Sequence, residues 1–421
     1  MIPLLENYKV RWNVESEQVI KPGLTAILKA LERLNNPQKA LQAVHFAGTN
    51  GKGSTLTFVE FIARAHGLTV GKFMSPCIVD VHDQIQIDGV SITEQQMDEV
   101  FEQLAKAGLS GKLTDFELLT TAAFLFFQQQ KVDVVLVETG MGGREDSTNV
   151  VDPIVSVIPS IALEHTNFLG NTLTSIASHK AGIIKPEKPV VIGRLPSEAY
   201  KVVQAEAEKN NAALWELGQQ FYVESNGTSE TYKNVEFTFT VDNLHRSLLG
   251  THQGDNMALA ITAFLEVARQ FSITPSIDKI QQGVNAAQLA GRFEQVLPNL
   301  YFDGAHNPAS IRTLVNTVKQ HFEGKRIEFV VGILADKDVS SVLTILEEVG
   351  HAFYFVNIVN NRAMSAATIY ELSNAKEKAI IQDVVPLLQQ PIDNNTVRIV
   401  TGSLYLLSEI RQKIKKSKND R

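Results

Sequence analysis

The sequence predicts an α/β protein made of two consecutive units, each a mostly parallel sheet covered by helices. Three observations carry this reading. Short, continuous apolar runs rich in β-branched residues, of the kind buried on both faces of a parallel sheet, alternate with longer stretches of helical period. A chain of 421 residues with 44% hydrophobic and 20% charged side chains is soluble in character and too long for one ordinary core. The strand–helix alternation also restarts after the stretch from Glu294 to Pro298, which places the units at residues 1–294 and 295–421.

Lys21-Pro22-Gly23 opens a helix expected to reach Leu34, and an apolar strand from Ala43 to Phe46 enters a glycine-rich turn from which a helix leaves through Ser54 to Arg64. A strand from Leu68 to Phe73 and a polar loop through Gly89 follow. Thr93, with Gln96 three residues on, has the spacing of a capping box and starts a helix to about Ala107; Thr114 or Asp115 starts another to Gln130. Val132 to Val137 and Ile154 to Ile158 read as buried strands, Val190 to Gly193 as a further one, with a helix after Pro196. Phe221 to Val241 alternates like an antiparallel ribbon turning at Asn226-Gly227, a small addition expected at the sheet edge. Helices from Gly254 to Gln270 and Ser276 to Ala287 complete the first unit. In the second, strands at Tyr301 to Asp303, Ile327 to Ile333, Ala352 to Ile358 and Val397 to Val400 alternate with helices at Pro308 to Phe322, Val339 to Val349 and Leu404 to Ile414.

The segment Val44-His45-Phe46-Ala47-Gly48-Thr49-Asn50-Gly51-Lys52-Gly53-Ser54 is a phosphate cradle. Its glycines let backbone N–H groups converge on an anion, and the departing helix points its positive end at the same place. Lys52 would sit on the outer phosphates and the Ser54 or Thr55 hydroxyl near magnesium. Phe46 stands where the strict Walker pattern has its first glycine, and Gly53 separates Lys52 from Ser54, so this is a variant loop. The first unit is accordingly P-loop-type and the second a Rossmann-like open sheet. A formal charge of -7 argues against a general nucleic-acid surface and for local basic groups aimed at small anions. The single Cys77 excludes an intrachain disulfide, and neither a signal peptide nor a bilayer-length apolar run is visible, so a cytoplasmic protein without membrane contact is expected.

Other residues are placed for chemistry. Glu138, at the carboxyl end of its strand and followed by Gly140, Gly142 and Gly143, can hold magnesium or cap the next turn. His165 alone reads as a structural histidine or a ligand, and Lys180 alone as an ordinary helical lysine. Asp303 and His306 share one tight turn after a strand, which suggests ligand binding or proton handling. Arg292, at the junction of the units, either reaches phosphates or forms an interdomain salt bridge, and Asn256 lies at the start of its helix.

Taken together, these segments resemble folylpolyglutamate synthase, including bacterial forms that are also dihydrofolate synthases, within the Mur ligase superfamily. The resemblance runs from Lys21-Pro22-Gly23-Leu24 through the phosphate loop, Ser75-Pro76, Phe116-Glu117, Gly142-Gly143-Arg144, Thr148-Asn149, Leu169-Gly170-Asn171-Thr172, Lys180-Ala181-Gly182-Ile183 and Gly250-Thr251-His252-Gln253. It continues through Asp303-Gly304-Ala305-His306-Asn307-Pro308 to Thr401-Gly402-Ser403-Leu404-Tyr405. It implies that Gly51, Lys52, Gly53 and Ser54 bind ATP, with Asn256, Arg292 and Asp303 reaching the nucleotide from the far side of a cleft. It implies magnesium, at two sites, held by Ser75, Glu138 and His165, and a Lys180 carbamylated by carbon dioxide. Thr114, Asp115, Phe116 and Glu117, with Glu145, Asp146 and Ser147, would face the pterin, and His306 and Ser403 would lie near incoming L-glutamate.

The implied reaction is ATP-dependent amide formation between a folate or pteroate carboxylate and L-glutamate through an acyl phosphate, with Lys52, Lys180 and His306 as its catalytic residues and a monomer as the working form. The chain departs from the family's usual residues at Cys77, Asp83-Gln84, Glu145, Glu164, His179 and Ala290, most of them around the folate side. The alternatives are a Mur-superfamily ligase with a different carboxylate acceptor, and a nucleotide-binding switch that ligates nothing.

Overall fold

The computed structural model describes residues 2–77, 79–360 and 362–419. The chain folds as two compact units: one comprises the chain up to Ser247 together with Gly254–Ala287, the other Leu248–Gln253 together with everything from Gln288 onward.

The first unit is built on eight strands, β1 Ala43–Phe46, β2 Val70–Phe73, β3 Ile85–Ile87, β4 Val90–Ser91, β5 Val134–Glu138, β6 Pro153–Ile158, β7 Val190–Ile192 and β8 Leu214–Glu216. They lie in the order β4-β3-β2-β5-β1-β6-β7-β8. From β2 to β8 every pairing is parallel, while at the other edge β3 pairs antiparallel with β2 and β4 antiparallel with β3. Each residue of β1, β2, β5, β6 and β7 is buried, as continuous apolar runs covered on both faces require. The chain leaves β1 toward β2 on one side and returns from β5 to β6 on the other, so the carboxyl end of β1 is a switch point where open α/β sheets bind ligands.

Helix starts follow the capping residues. Thr93 Oγ1 accepts from Gln96 N at 3.2 Å while Gln96 Oε1 accepts from Thr93 N at 2.9 Å, opening the helix Glu94–Lys106. Thr114 and Glu117 form the same box at 3.3 and 2.8 Å at the head of the helix Asp115–Gln130. That second helix is apolar almost all round and is buried accordingly.

Three expectations change. The polar loop read up to Gly89 contains the β3–β4 hairpin: Asp88 and Gly89 take φ of 51° and 78°, the two positive values a type I′ turn needs, between Gln86↔Ser91 and Ile87↔Val90 pairs. The ribbon does not extend the edge of the large sheet. Phe221–Ser225, Glu230–Asn234 and Phe239–Leu244, here β9, β10 and β11, form a separate three-stranded antiparallel sheet. The helix Leu5–Trp12 and strand β8 were not anticipated; β8 is only half-buried and lacks the strong apolar run of its neighbours.

The second unit has six strands, β12 Glu294–Leu297, β13 Leu300–Phe302, β14 Arg326–Val331, β15 Ala352–Val356, β16 Lys378–Ile381 and β17 Thr396–Thr401. Their order is β12-β13-β17-β14-β15-β16, parallel except for β12, which makes a hairpin with β13. One apolar cluster on Ile311, Val315, Phe329 and Phe353 and another on Phe302, Val330, Leu407 and Ile410 sandwich this sheet.

Candidate active site

At the switch point of the first unit, Phe46 of β1 and Glu138 of β5 stand side by side in register. The loop after Phe46 is braced from the segment following β6. Thr49 N and Asn50 N donate to Ser160 O and Ser160 Oγ, both at 2.9 Å, and Thr49 Oγ1 donates to Ala162 O at 3.1 Å. Gly51 has φ 87°, and a Cβ there would stand 2.6 Å from Asn256 Oδ1, so the position admits glycine on two counts. Lys52 is the first residue of the helix Lys52–Ala65. Its Nζ donates to Gly48 O at 2.9 Å and lies 3.7 Å from Glu138 Oε1. Ser54 and Thr55 are buried, and Thr55 Oγ1 reaches Asn256 Oδ1 at 3.4 Å. Asn256 therefore belongs to the same unit as the loop and packs beneath it; of the three residues expected from the far side, Arg292 and Asp303 lie in the other unit.

Lys180, on the helix Leu173–Ala181, is buried and its pKa is pushed down to about 7. Desolvation is the chief cause and the charge of Lys52 adds to it, while Glu164 and Asp146 oppose. Glu138 is buried; Ser75 is half-buried before a cis Pro76; His165 is exposed with φ 50° at the head of the turn Thr166–Leu169. Among the described residues no three His, Cys, Asp or Glu side chains gather as a metal cluster. The buried Glu138 carboxylate and the Ser75 hydroxyl are oxygen donors of the kind magnesium takes beside water and phosphate oxygen.

On the same unit, the expected pterin residues fall into two groups. Thr114 and Glu117 spend their side chains on the capping box, and Asp115 Oδ1 is taken by Lys9 Nζ at 3.2 Å and Ser16 Oγ at 2.5 Å. Phe116 is left to present a ring, stacked on Phe73 at 5.8 Å between centroids and lying where a Cβ on Gly140 would come within 2.6 Å. Asp146 is buried and accepts from Met141 N, Thr148 N and Thr148 Oγ1 at 2.8, 3.0 and 2.6 Å. Burial nevertheless raises its pKa against those donors. Ser147 Oγ meets Thr120 Oγ1 at 3.1 Å, and Glu145 is exposed with its carbonyl accepting from Gly23 N at 3.2 Å. The unusual residues near Ser75 serve their own loop: Asp83 Oδ2 accepts from Val79 N and Gln84 Nε2 donates to Met74 O. Burial, with Asp83 and Asp80, pushes the Cys77 thiol up to about 12, out of the reactive range.

In the second unit, Asp303 follows β13 and its carboxylate accepts from Phe293 N at 2.8 Å and Ala305 N at 2.9 Å. Burial raises its pKa, with Arg292 and His306 pulling the other way. His306 Nδ1 lies 2.8 Å from Gly304 O, which makes Nδ1 the protonated nitrogen and Nε2 the basic one. A Cβ on Gly304 would stand 2.4 Å from Leu404 Cδ2 and 2.8 Å from Arg292 Nη1. Ser403 is buried and its Oγ accepts from Tyr405 N at 3.1 Å. Sequence reasoning missed Glu294, whose Oε2 accepts from Gly291 N at 2.7 Å and from Arg411, fixing the turn that bears Arg292. It also missed Lys9, whose partner lies over a hundred positions away and leaves no local signal.

Residues 46–264 match the Mur ligase middle domain and residues 291–404 the Mur ligase glutamate ligase domain. The chain is 36% identical to the dihydrofolate synthase/folylpolyglutamate synthase of Bacillus subtilis, with 94% of this chain and 96% of that protein covered. It is 34% identical to the folylpolyglutamate synthase of Lacticaseibacillus casei, covering 92% and 93%. Escherichia coli FolC, solved in complex with DHPP and ADP, superposes with a TM-score of 0.89 over 99% of this chain and 98% of that one at 29% identity. The chain belongs to the Mur ligase family, in its dihydrofolate synthase/folylpolyglutamate synthase group.

Proposed function

We propose that this protein is an ATP-dependent ligase that joins the carboxylate of tetrahydrofolate or its polyglutamates to the amine of L-glutamate, and that it also converts dihydropteroate to dihydrofolate. The observation that carries the reading is the variant phosphate loop with Lys52 between its own Gly48 carbonyl and the buried Glu138, on the same sheet end as Lys180 and Asp146. Solved relatives hold ADP or AMPPCP, and one holds DHPP as well.

A carboxylate is a poor acyl donor because oxide would have to leave. Its oxygen therefore attacks the γ-phosphorus of ATP, ADP departs, and an acyl phosphate forms. The unprotonated amine of glutamate then attacks the acyl carbon, and inorganic phosphate leaves carrying that oxygen. Lys52 and the loop N–H groups of Gly51, Gly53 and Ser54 neutralise charge on the transferred phosphoryl group, with Asn256 shaping the loop and Arg292 and Asp303 serving the nucleotide. Ser75, Glu138 and His165 would hold magnesium, which when bound draws charge from the phosphate oxygens. A carbamylated Lys180 would place an anion beside them. Thr114 to Glu117 and Glu145 to Ser147 receive the pterin, while His306 and Ser403 serve glutamate, His306 Nε2 taking the amine proton. We assign ATP binding to the first unit and glutamate ligation to the second, in a cytoplasmic monomer. Among the described residues no helix is long and apolar enough to cross a membrane.

The test is mass spectrometry of products from ATP, labelled glutamate and either tetrahydrofolate or dihydropteroate carrying oxygen-18 in the carboxylate. One added glutamyl unit per turnover and oxygen-18 in the released phosphate are expected. ATP hydrolysis without a glutamyl product would overturn the reading in favour of a switch.

A further inference from the structure

The strand that ends in the phosphate loop also carries a buried histidine with no place in the reaction as described. His45 of β1 is fully buried, and its Nε2 lies 2.8 Å from Thr148 Oγ1. Thr148 has one hydroxyl proton, and the 2.6 Å bond to Asp146 Oδ1 uses it. Thr148 can therefore only accept from His45, which fixes the imidazole as the Nε2–H tautomer. Among the described residues His45 Nδ1 has no hydrogen-bond partner, so the ring is held through Nε2. Asp146 receives the far end of this chain together with the N–H groups of Met141 and Thr148, which pin both edges of its carboxylate.

We propose that His45 and Thr148 are positioning residues for the pterin-bearing substrate: the relay His45–Thr148–Asp146 sets the Asp146 carboxylate and ties its loop to the strand that carries the phosphate loop. The inference rests on the functional reading above, in which Asp146 faces the pterin. Its physical content is registration. Phosphoryl transfer needs the substrate carboxylate and the γ-phosphorus aligned within a fraction of an ångström, and two loops from one sheet hold such a distance only when tied to a common element. Here β1 is that element, with Lys52 seven residues beyond His45. The Thr148–Asp146 bond sets the hydrogen-bond direction of the relay, and burial, with the nearby charge of Lys185, holds the ring neutral.

The experiment measures steady-state constants of the full chain with tetrahydrofolate, ATP and glutamate for Thr148→Val, Thr148→Ser, His45→Leu and His45→Gln. Thr148→Val is nearly isosteric and removes the hydroxyl; Thr148→Ser keeps it. KM for tetrahydrofolate is expected to rise about tenfold in Thr148→Val and His45→Leu, with KM for ATP within about twofold of the parent. Thr148→Ser and His45→Gln, which retain a hydroxyl and a donor, are expected to recover most of the loss, and the double variant His45→Leu/Thr148→Val to be no worse than Thr148→Val. Calorimetric ADP binding by each variant verifies its fold. An unchanged tetrahydrofolate KM in Thr148→Val, a parallel rise of both KM values, or a Thr148→Ser as impaired as Thr148→Val would overturn the proposal while leaving the functional reading intact. Absence of folate-dependent phosphate release from the parent enzyme would overturn both.

Discussion

Lys52 Nζ stands 3.7 Å from Glu138 Oε1 while donating to Gly48 O at 2.9 Å, so the loop lysine is held by its own turn and by the neighbouring strand at once. The pair is mostly shielded from solvent, with side-chain exposures of 17% and 7%. Such a lysine is pre-placed for an incoming phosphate and loses little rotamer freedom when one arrives. Replacing it with methionine keeps the stem and removes the charge. Lys52→Met is expected to lower the rate of folate-dependent phosphate release on the order of a thousandfold, with the thermal midpoint close to the parent's. A loss under tenfold in a stopped-time phosphate assay would show that Lys52 does not carry transition-state charge.

Lys180 has its pKa near 7 because burial and Lys52 both disfavour its ammonium. Carbon dioxide reacts only with the neutral amine, so the sign is definite: carbamate formation rises as pH increases through about 7 and is suppressed by protonation below it. With carbon-13 bicarbonate, the NMR signal of a lysine carbamate is expected to grow between about pH 6 and pH 8 and to vanish in Lys180→Ala. A signal that persists in Lys180→Ala would assign the carbamate elsewhere.

What could be read from the chain depended on how local its physics was. The capping boxes at Thr93 and Thr114, the buried strands around Val135 and Val155 and the loop at Gly51 are set by neighbours within four residues, and the structure has them within a few positions of the reading. The β3–β4 hairpin was also local; its Asp88-Gly89 signal was present but masked by the polar residues around it. Other features were not legible. Asn256 lies beneath Gly51, Lys9 on Asp115 and Arg411 on Glu294, each a tertiary meeting of residues more than a hundred apart, or on different elements, with ordinary local surroundings. Asp115 showed the converse problem: resemblance marks the segment Thr114 to Glu117, but its carboxylate is taken by the distant Lys9 while Thr114 and Glu117 cap the helix, which leaves the Phe116 ring.

Phe116 and Gly140 give a sharper probe of the proposed pterin side. A methyl at Gly140 would stand 2.6 Å from the Phe116 ring, which is itself stacked on Phe73, so the ring must move or the loop must. Overpacking of this kind costs about 1–3 kcal/mol. Gly140→Ala is expected to destabilise by that amount and to raise KM for tetrahydrofolate more than KM for ATP, whereas Gly140→Ala/Phe116→Leu, which makes room, recovers stability. Urea unfolding and the two KM values measure both effects, and a Gly140→Ala protein as stable as its parent would contradict the contact.

The burial of His45 also has a consequence for acid stability. Its pKa falls from 6.5 to about 3 in the folded chain, chiefly through desolvation and secondarily through Lys185. Below pH 6.5 the unfolded chain binds a proton on this ring that the folded chain refuses, so the contribution of His45 is fully present above that value and is lost as pH falls toward 3. Between pH 7 and pH 5 the loss from this one group amounts to about 2 kcal/mol. His45→Gln has no proton to gain, so its unfolding free energy is expected to decline less than the parent's by about that amount over the same interval. Urea titrations of both proteins at the two pH values give the difference directly, with every other titrating group cancelling between them. Parallel decline in the two proteins would mean that the ring can be protonated in place at Nδ1.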